Sequence, residues 1–220
     1  MSIQAARVTV PANVNIPTLP AVVARITLML EDPKCGAKEI GEAVAGDAPL
    51  SAKVLKIANS SYYGLNERCL VVQQAAVVVG SRVMRNLVLQ ASVIRQFEHL
   101  KGSAFDVEQL WRHAILTAQA SNFLARLAKC RFGLTPDELY MCGLLHDVGQ
   151  IVLLDSFGDR YIKLANYAIG QNIPIERVEE QGLGYNHADV GHVIATKWGL
   201  PVALTSAIQM SIFPTVRRNR

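Results

Sequence analysis

Length and composition limit what this chain can be. It has 220 residues, of which 50% are hydrophobic and 18% are charged, and its net charge is +4. These values predict a globular domain with a sizeable core and exclude a disordered tail. No apolar run reaches the ~18 residues of a membrane span, and no secretory signal precedes the first helix. The cysteines are far apart and form no Cys-x-x-Cys pair, which predicts reduced thiols and a cytoplasmic location: Cys35, Cys69, Cys130 and Cys142.

The N-terminal half is predicted to be a lead-in segment, residues 1–15, followed by a helical lobe over residues 16–98. Pro20 can open the first helix, and Asp32-Pro33 can end it. A short helix over 36–45 and a helix capped by Asp47 follow. The next segment, 71–79, is almost wholly apolar, and we expect it to be buried on all sides. A long helix begins after Gly80.

A cluster of turn-forming residues begins at Asn59 and leaves two interpretations open. It can be a helix stop whose tyrosine rings fold onto the core, or a loop that presents Asn59, Tyr62 and Tyr63 to a partner or ligand. Arg82 and Arg85 border the apolar stripe of the long helix, either as surface and inter-helix polar contacts or as residues that contact a partner or ligand.

Residues 99–105 are the predicted boundary to a second helical lobe, residues 106–210. Asp106 with Gln109 makes a capping box that opens a helix to about Lys129. The three-and-four spacing of apolar residues on this helix predicts that His113 is turned inward. The basic residues 211–220 are predicted to be a solvated tail, and the mild positive charge argues against a nucleic-acid partner.

The centre of the second lobe is a helix that Thr135 and Glu138 begin with another capping box. It is apolar until it reaches His146 and Asp147, and Gly149 is predicted to end it. An imidazole and a carboxylate at a buried helix end are costly unless something pairs with them. That partner is a divalent cation in a metal-dependent enzyme and a fixed hydrogen bond in a binding module.

Further helices are predicted around 161–169 and 174–182, after Asn186 and after Pro201. Asp189 completes a capping box with Asn186, and Gly191 permits close packing. His187 lies in the first turn, where the helix dipole disfavours an imidazolium, so we expect it to be neutral. No strand alternation appears in the sequence, and the predicted fold class is all-α.

An ordered series of motifs covers residues 16–210: Ile16-Pro-Thr-Leu-Pro20, Asp47-x-x-Leu-Ser51, Ala58-Asn-Ser-x-x-Tyr-Gly64, Trp111-Arg-His113, Gly143-Leu-Leu-His-Asp-Val-Gly149, Asn186-His-Ala-Asp-Val-Gly191 and Trp198-Gly-Leu-Pro201. The series resembles the HDOD family, the HD-related output domain of bacterial signalling proteins. The resemblance implies a multi-helical HD-like domain preceded by an N-terminal helical lobe.

The HDOD family is similar to the metal-dependent HD phosphohydrolases, especially the HD-GYP phosphodiesterases of cyclic-di-GMP. By that resemblance His113 matches the first metal-ligand histidine. His146 and Asp147 match the paired ligands, with Asp147 as the bridging carboxylate, and His187 matches a later single histidine.

The sequence also departs from the enzymes. Gln150 stands where they have Lys, Ser211 and Ile212 stand where they have a His-His pair, and their distal Asp has no counterpart up to Arg220. The remaining four donors suffice for one loosely held divalent ion and are too few for a two-metal centre. The resemblance therefore favours a relic site held by hydrogen bonds over a catalytic metal centre or a non-catalytic metal site.

The leading hypothesis is a non-catalytic signal-transduction module that binds a signalling protein or a small regulatory ligand and requires no cofactor. The alternative is a divergent metal-dependent phosphohydrolase that acts on a nucleotide or cyclic dinucleotide. Nucleic-acid binding by Arg82, Arg85 and the C-terminal arginines is the weakest of the three hypotheses.

Overall fold

A computed structural model describes residues 13–29, 32, 34–61, 63–128 and 134–211 of the chain. Its secondary structure there is helical without a β-strand, which confirms the all-α fold class. In this part of the chain no helix combines the length with the hydropathy that a bilayer-spanning segment requires. Contacts divide the chain into two compact units. The N-terminal lobe is Leu19–His99, and the C-terminal lobe contains the described residues before Leu19 and from Leu100 onward.

In the described residues of the N-terminal lobe, five α-helices are present, followed by a 3₁₀ turn at Glu98–Leu100: α1 (Ala21–Met29), α2 (Ala37–Ala45), α3 (Ala48–Ala58), α4 (Val72–Val79) and α5 (Ser81–Gln96). The predicted cap at Asp47 is confirmed, because its carboxylate accepts the backbone N–H of Leu50 at 3.0 Å. The same carboxylate pairs with Nη1 of Arg95 on α5 at 2.6 Å. One side chain thus begins α3 and ties it to α5.

Helix α4 is not buried on all sides, so that expectation was wrong. Val77 and Val78 are 65% and 55% exposed, whereas Ala75 and Ala76 are fully buried. The covered face lies against α2, where a Cβ on Gly41 would come within 2.7 Å of the Cα of Gln73. The apolar composition of α4 therefore does not translate into burial of every side of the helix.

The part of the C-terminal lobe that the structure describes contains seven helices: α6 (Val107–Leu127), α7 (Pro136–Leu145), α8 (Val148–Phe157), α9 (Asp159–Gln171), α10 (Ile175–Leu183), α11 (His187–Lys197) and α12 (Val202–Gln209). Asp106 accepts the backbone N–H of Gln109 at 2.8 Å, which confirms one half of the capping box predicted there, the side-chain cap itself. The reciprocal boxes at residues 135–138 and 186–189 are also present. Local side-chain chemistry therefore sets where these helices begin.

The residues just before Leu19 are fastened to the C-terminal lobe. The backbone N–H of Asn15 donates to Oγ of Ser156 at 2.9 Å. The carbonyl of Ile16 accepts from Nζ of Lys197, and the carbonyl of Pro17 accepts from the Trp198 indole, both at 3.0 Å. The N-terminal lobe is therefore inserted between two segments of the C-terminal lobe.

Candidate functional site

Three side chains from α6 and from the α7–α8 junction converge in the C-terminal lobe. His113 Nε2 lies 3.2 Å from His146 Nε2. Oδ2 of Asp147 lies 3.1 Å from the same His146 nitrogen and 3.7 Å from His113 Nε2. These donor atoms lie within 4.8 Å of one another, a spacing at which one cation could contact all three. Imidazole and carboxylate are common ligands of divalent metals.

Two glycines allow the helices that carry these groups to approach closely. A Cβ on Gly143 of α7 would lie 2.7 Å from the Cα of Ala118, so α6 and α7 touch backbone to backbone there. A Cβ on Gly149 would lie 1.9 Å from the carbonyl oxygen of His187. Gly149 was predicted to end the central helix, but α7 ends at Leu145 and Gly149 lies inside α8. Because Gly149 has no side chain, it allows α8 to pack directly against the backbone at the start of α11.

That approach brings His187 to Asp147. His187 is the first residue of α11, only 2% exposed, and its Nε2 lies 3.4 Å from Oδ1 of Asp147. Its other ring nitrogen, Nδ1, lies 2.6 Å from Oε2 of Glu179. The Asp147 carboxylate therefore has His146 and His113 near one oxygen and His187 near the other.

Glu179 is a central residue of the site that the sequence analysis missed. It is fully buried on α10, and its carboxylate accepts from the Tyr161 hydroxyl at 2.7 Å and from the backbone N–H of His187 at 2.8 Å, besides the imidazole. A sequence signal existed. Ile175, Val178, Glu179 and Gly182 share one helix face by three-and-four spacing, so Glu179 lies on the apolar face of an otherwise polar helix.

The carboxylates determine the charge of the histidines. Burial alone lowers the pKa of His187, but hydrogen bonds and charge from Asp147 and Glu179 outweigh it and raise the pKa to about 10. His187 is thus protonated at neutral pH, and the expectation that it is neutral was wrong. The helix dipole is worth ~0.3–2 kcal/mol and cannot balance two contacting carboxylates.

Asp147 and His146 are shifted by the same contacts. Burial raises the pKa of Asp147, but hydrogen bonds from His146 and His187 hold it well below its usual value. Burial lowers the pKa of His146, whereas its hydrogen bond and ion pair with Asp147 raise it above the ordinary value. The Asp147 carboxylate is therefore ionised between cationic or proton-sharing imidazoles.

His113 differs from the other donors because it is not buried. Its side chain is 58% exposed, so the prediction that it is turned inward was wrong. The inward face of α6 is made of alanines that pack on α7, including Ala114 and Ala118. His113 lies at the edge of that face, from which its ring still reaches His146. The cluster is consequently open to solvent on the α6 side.

The donor set fits one divalent ion. The Gly143 carbonyl lies 2.8 Å from Nδ1 of His146 and can only accept, which leaves Nε2 of a neutral His146 free to coordinate. Glu179 orients His187 in the same way, an arrangement common behind metal-bound histidines. His187 is not one of the three donors that a single ion could contact together, and an ion that took it as a further ligand would have to displace its proton. Such an ion would supply Lewis acidity and lower the pKa of a bound water.

The sequence departs from several groups that the resemblance to the HD-GYP enzymes implies. Gln150 supplies an amide where those enzymes carry an ammonium, so it removes a positive charge that would stabilise a phosphoryl or leaving group and does not change the number of metal ligands. Ser211 lies beside the site, with its Oγ 2.7 Å from the Ile208 carbonyl and 3.5 Å from the His146 carbonyl. Ile212 lies outside the described residues. Within the described part of the chain, the cluster therefore offers one metal position.

The other predicted contact residues lie in the N-terminal lobe, apart from this cluster in the chain. Both polar atoms of the Asn59 amide bond the backbone of Cys69, at 2.8 and 2.9 Å, so Asn59 fixes the segment that follows α3. Tyr63 is half-buried. Arg82 is exposed and Arg85 half-buried in the first turns of α5, and Tyr62 lies outside the described residues.

Sequence comparison supports the resemblance. The HDOD domain family matches residues 16–212. A protein of Treponema pallidum strain Nichols is 30% identical over 195 residues, which are 89% of this chain and 37% of that protein. The chain thus spans little more than a third of that relative.

Solved structures agree in fold. An HDOD domain protein of unknown function from Geobacter sulfurreducens matches with a TM-score of 0.77 at 24% identity, over 91% of this chain and 67% of that chain. A candidate phosphohydrolase from Shewanella amazonensis SB2B matches with a TM-score of 0.74 at 26% identity, over 90% and 69%. A candidate signal transduction protein from Marinobacter aquaeolei VT8 matches with a TM-score of 0.75 at 25% identity, over 93% and 46%.

Proposed function

Because this chain belongs to the HDOD family, we propose that it is a non-catalytic signal-transduction module of the bacterial cytoplasm that binds a signalling protein or a small regulatory ligand. The candidate signal transduction protein from Marinobacter is similar over 93% of this chain, which supports that role. The scattered cysteines fit a reducing compartment.

The observation that carries the proposal is that the buried polar groups of the site are paired with one another within the protein. Asp147 and Glu179 bring two carboxylates, and His187 between them is a cation at neutral pH. Every donor of the network has a partner within the protein: Tyr161 and both ring nitrogens of His187 lie within 3.4 Å of a carboxylate oxygen. This network connects α8, α9, α10 and α11 without requiring an ion, as expected of a relic site that has become structural.

A second function has one specific observation in its favour. The carboxylate–histidine pair of Glu179 and His187, with His146 held by a carbonyl, resembles the outer support of a metal ligand set. The candidate phosphohydrolase from Shewanella is similar over 90% of this chain. The alternative is therefore a mononuclear, metal-dependent phosphohydrolase with His113, His146 and Asp147 as ligands.

Metal content and turnover separate the two functions. The purified chain is stripped with EDTA, incubated with Mn²⁺ or Fe²⁺, desalted and analysed for metal, and it is then assayed with p-nitrophenyl phosphate and with cyclic dinucleotides. We expect at most one ion per chain and no turnover above that of His146→Ala. Two ions per chain, or turnover that His146→Ala abolishes, would contradict the non-catalytic proposal.

A further inference from the structure

The two faces of α6 are inverted relative to an ordinary amphipathic helix. Large apolar side chains lie on the solvent side: Leu116 is 58% exposed, Phe123 61% and Leu127 65%. The buried face that packs on α7 is made mainly of small residues: Ala114, Ala118 and Ala125, with Asn122. A helix that buries alanines and exposes leucines and a phenylalanine leaves an apolar patch of the kind that marks an interaction surface.

The exposed residues follow the spacing of a helix–helix interface. His113, Leu116, Ala120, Phe123 and Leu127 are separated by three, four, three and four residues, which is the a/d pattern of two heptads. We call this set the α6 seam. Ala120 is exposed at its middle, where a small side chain lets a second helix axis come close. The convex surface and the regular spacing favour another helix over an extended strand.

The charges that α6 itself places beside the seam have one sign, although Oδ1 of Asp137 on α7 lies 3.5 Å from the Asn122 amide. Arg112 and Arg126 are both exposed. They are fourteen residues, or two heptads, apart, so they lie on the same flank of the helix and are separated by roughly 21 Å along its axis. The sequence has no Asp or Glu between Gln109 and Ala128. The Arg126 guanidinium donates its Nε–H to Oδ1 of Asn122 at 2.8 Å, and its other N–H groups can reach a partner.

These charges decide which occupant fits. A second copy of this chain would add two more arginines to the interface and no carboxylate from either helix. Like charges across an interface are costly, and complementary charges guide the correct partner. Acidic side chains at the flanking positions of the docking helix would face Arg112 and Arg126 directly.

We propose that the α6 seam docks an amphipathic helix of a partner protein that has an apolar stripe and acidic flanking residues. The proposal deepens the signalling function above, on which it rests, because it names the class of partner. It also connects the partner to the relic site. His113 is both the first position of the seam and the exposed member of the cluster, so a docked helix would cover its ring.

The probe is a 21-residue capped helical peptide with Leu at positions a and d and Glu at e and g, labelled with fluorescein. A second peptide carries Lys in place of every Glu. Like charges within each peptide oppose its self-pairing. Fluorescence anisotropy with the full chain should give a Kd for the acidic peptide at least tenfold lower than for the basic one, and added salt should narrow the difference.

Variants of the chain test the location. F123S with L127S should weaken binding of the acidic peptide at least tenfold, and R112E with R126E should reverse the preference between the peptides. I169S is the matched control, since Ile169 on α9 is 79% exposed and should leave both affinities unchanged. In NMR, the ring signals of His113 should shift on addition of the acidic peptide.

Each other outcome overturns the proposal. Equal binding of the two peptides, or binding that F123S with L127S leaves intact, would mean that the seam does not dock an acidic helix. Concentration-dependent dimerisation abolished by F123S with L127S would assign the seam to a second copy. A fall in Tm for that variant, against an unchanged Tm for I169S, would mean that the same chain covers the seam. None of these readouts depends on turnover, so the docking proposal and the non-catalytic proposal can fail separately.

Discussion

Replacing Glu179 by Ala should be among the most destabilising single changes in the C-terminal lobe. The Glu179 carboxylate is fully buried and accepts from the Tyr161 hydroxyl, the His187 backbone N–H and the His187 imidazole. Alanine leaves all three donors without an acceptor, and one of them is cationic. An unpaired buried donor costs ~1–3 kcal/mol, and breaking a buried ion pair by removing one partner costs about 3–5 kcal/mol.

The expected loss is therefore about 3–5 kcal/mol, a large part of the ~5–15 kcal/mol by which natural domains are stable. At roughly 2–4 °C per kcal/mol for a chain of this size, Tm should fall by about 6–20 °C. Differential scanning calorimetry and urea unfolding measure both quantities.

Glu180→Ala is the matched control. Glu180 is the next residue on α10, is exposed, and accepts one part-buried hydrogen bond from Nδ2 of Asn186. Its replacement removes one neutral donor's acceptor and should cost about 1 kcal/mol, less than the loss expected for Glu179→Ala. Glu179→Gln should be intermediate, because the amide keeps one acceptor oxygen and turns an NH₂ group toward a donor. A Tm of Glu179→Ala within 2 °C of the parent would refute the structural role of the network.

Three further perturbations probe the same site. Because the pKa of His187 is raised, the contribution of this histidine to the free energy of unfolding is complete below pH 6.5, the ordinary pKa, and is lost as the pH rises through about 10. Urea unfolding from pH 6 to 10 should therefore show a decline in the free energy of unfolding. His187→Asn should abolish this decline, and the control His192→Asn should retain it. Gly149→Ala places a Cβ 1.9 Å from a backbone carbonyl oxygen and should lower the free energy of unfolding by about 3 kcal/mol or more, which thermal unfolding would measure. In the control Gly170→Ala no atom lies near the new Cβ, and the change should be neutral or stabilising. Asp147→Ala should lower the unfolding free energy by ~1–3 kcal/mol, because both its histidine partners lose their acceptor, and an unchanged Tm would contradict its structural role.

Sequence reasoning succeeded where the signal was local. The capping boxes at Thr135 and Asn186 and the cap at Asp47 each depend on a side chain and a backbone N–H three residues away, and all are present. Gly191 was expected to permit close packing, and a Cβ there would lie 2.8 Å from Ile208. Periodicity without strand alternation was enough to predict the all-α class.

Sequence reasoning failed where the answer depends on which helices become neighbours. Nothing local distinguishes Glu179 as the partner of His187, because the contact joins α10 to α11 and becomes clear only when both faces are known. The predicted charge of His187 was wrong for the same reason. The sequence shows which helix His187 begins, and hence the dipole that acts on it, but it does not show that two carboxylates from other elements contact the ring. The inward placement of His113 was wrong because α6 packs through its alanines.

The insertion of the N-terminal lobe has a consequence for biosynthesis. The hydrogen-bond partner of Asn15 lies 141 residues later in the chain, and the partners of Ile16 and Pro17 lie 181 residues later. The ribosome releases all of Leu19–His99 long before α11, so the inserted lobe can fold first, while the network around His187 can form only after α11 has been synthesised. A protein that begins at Leu100 would lack the carbonyls of Ile16 and Pro17. Lys197 and Trp198, at the end of α11, would then lose these hydrogen-bond acceptors.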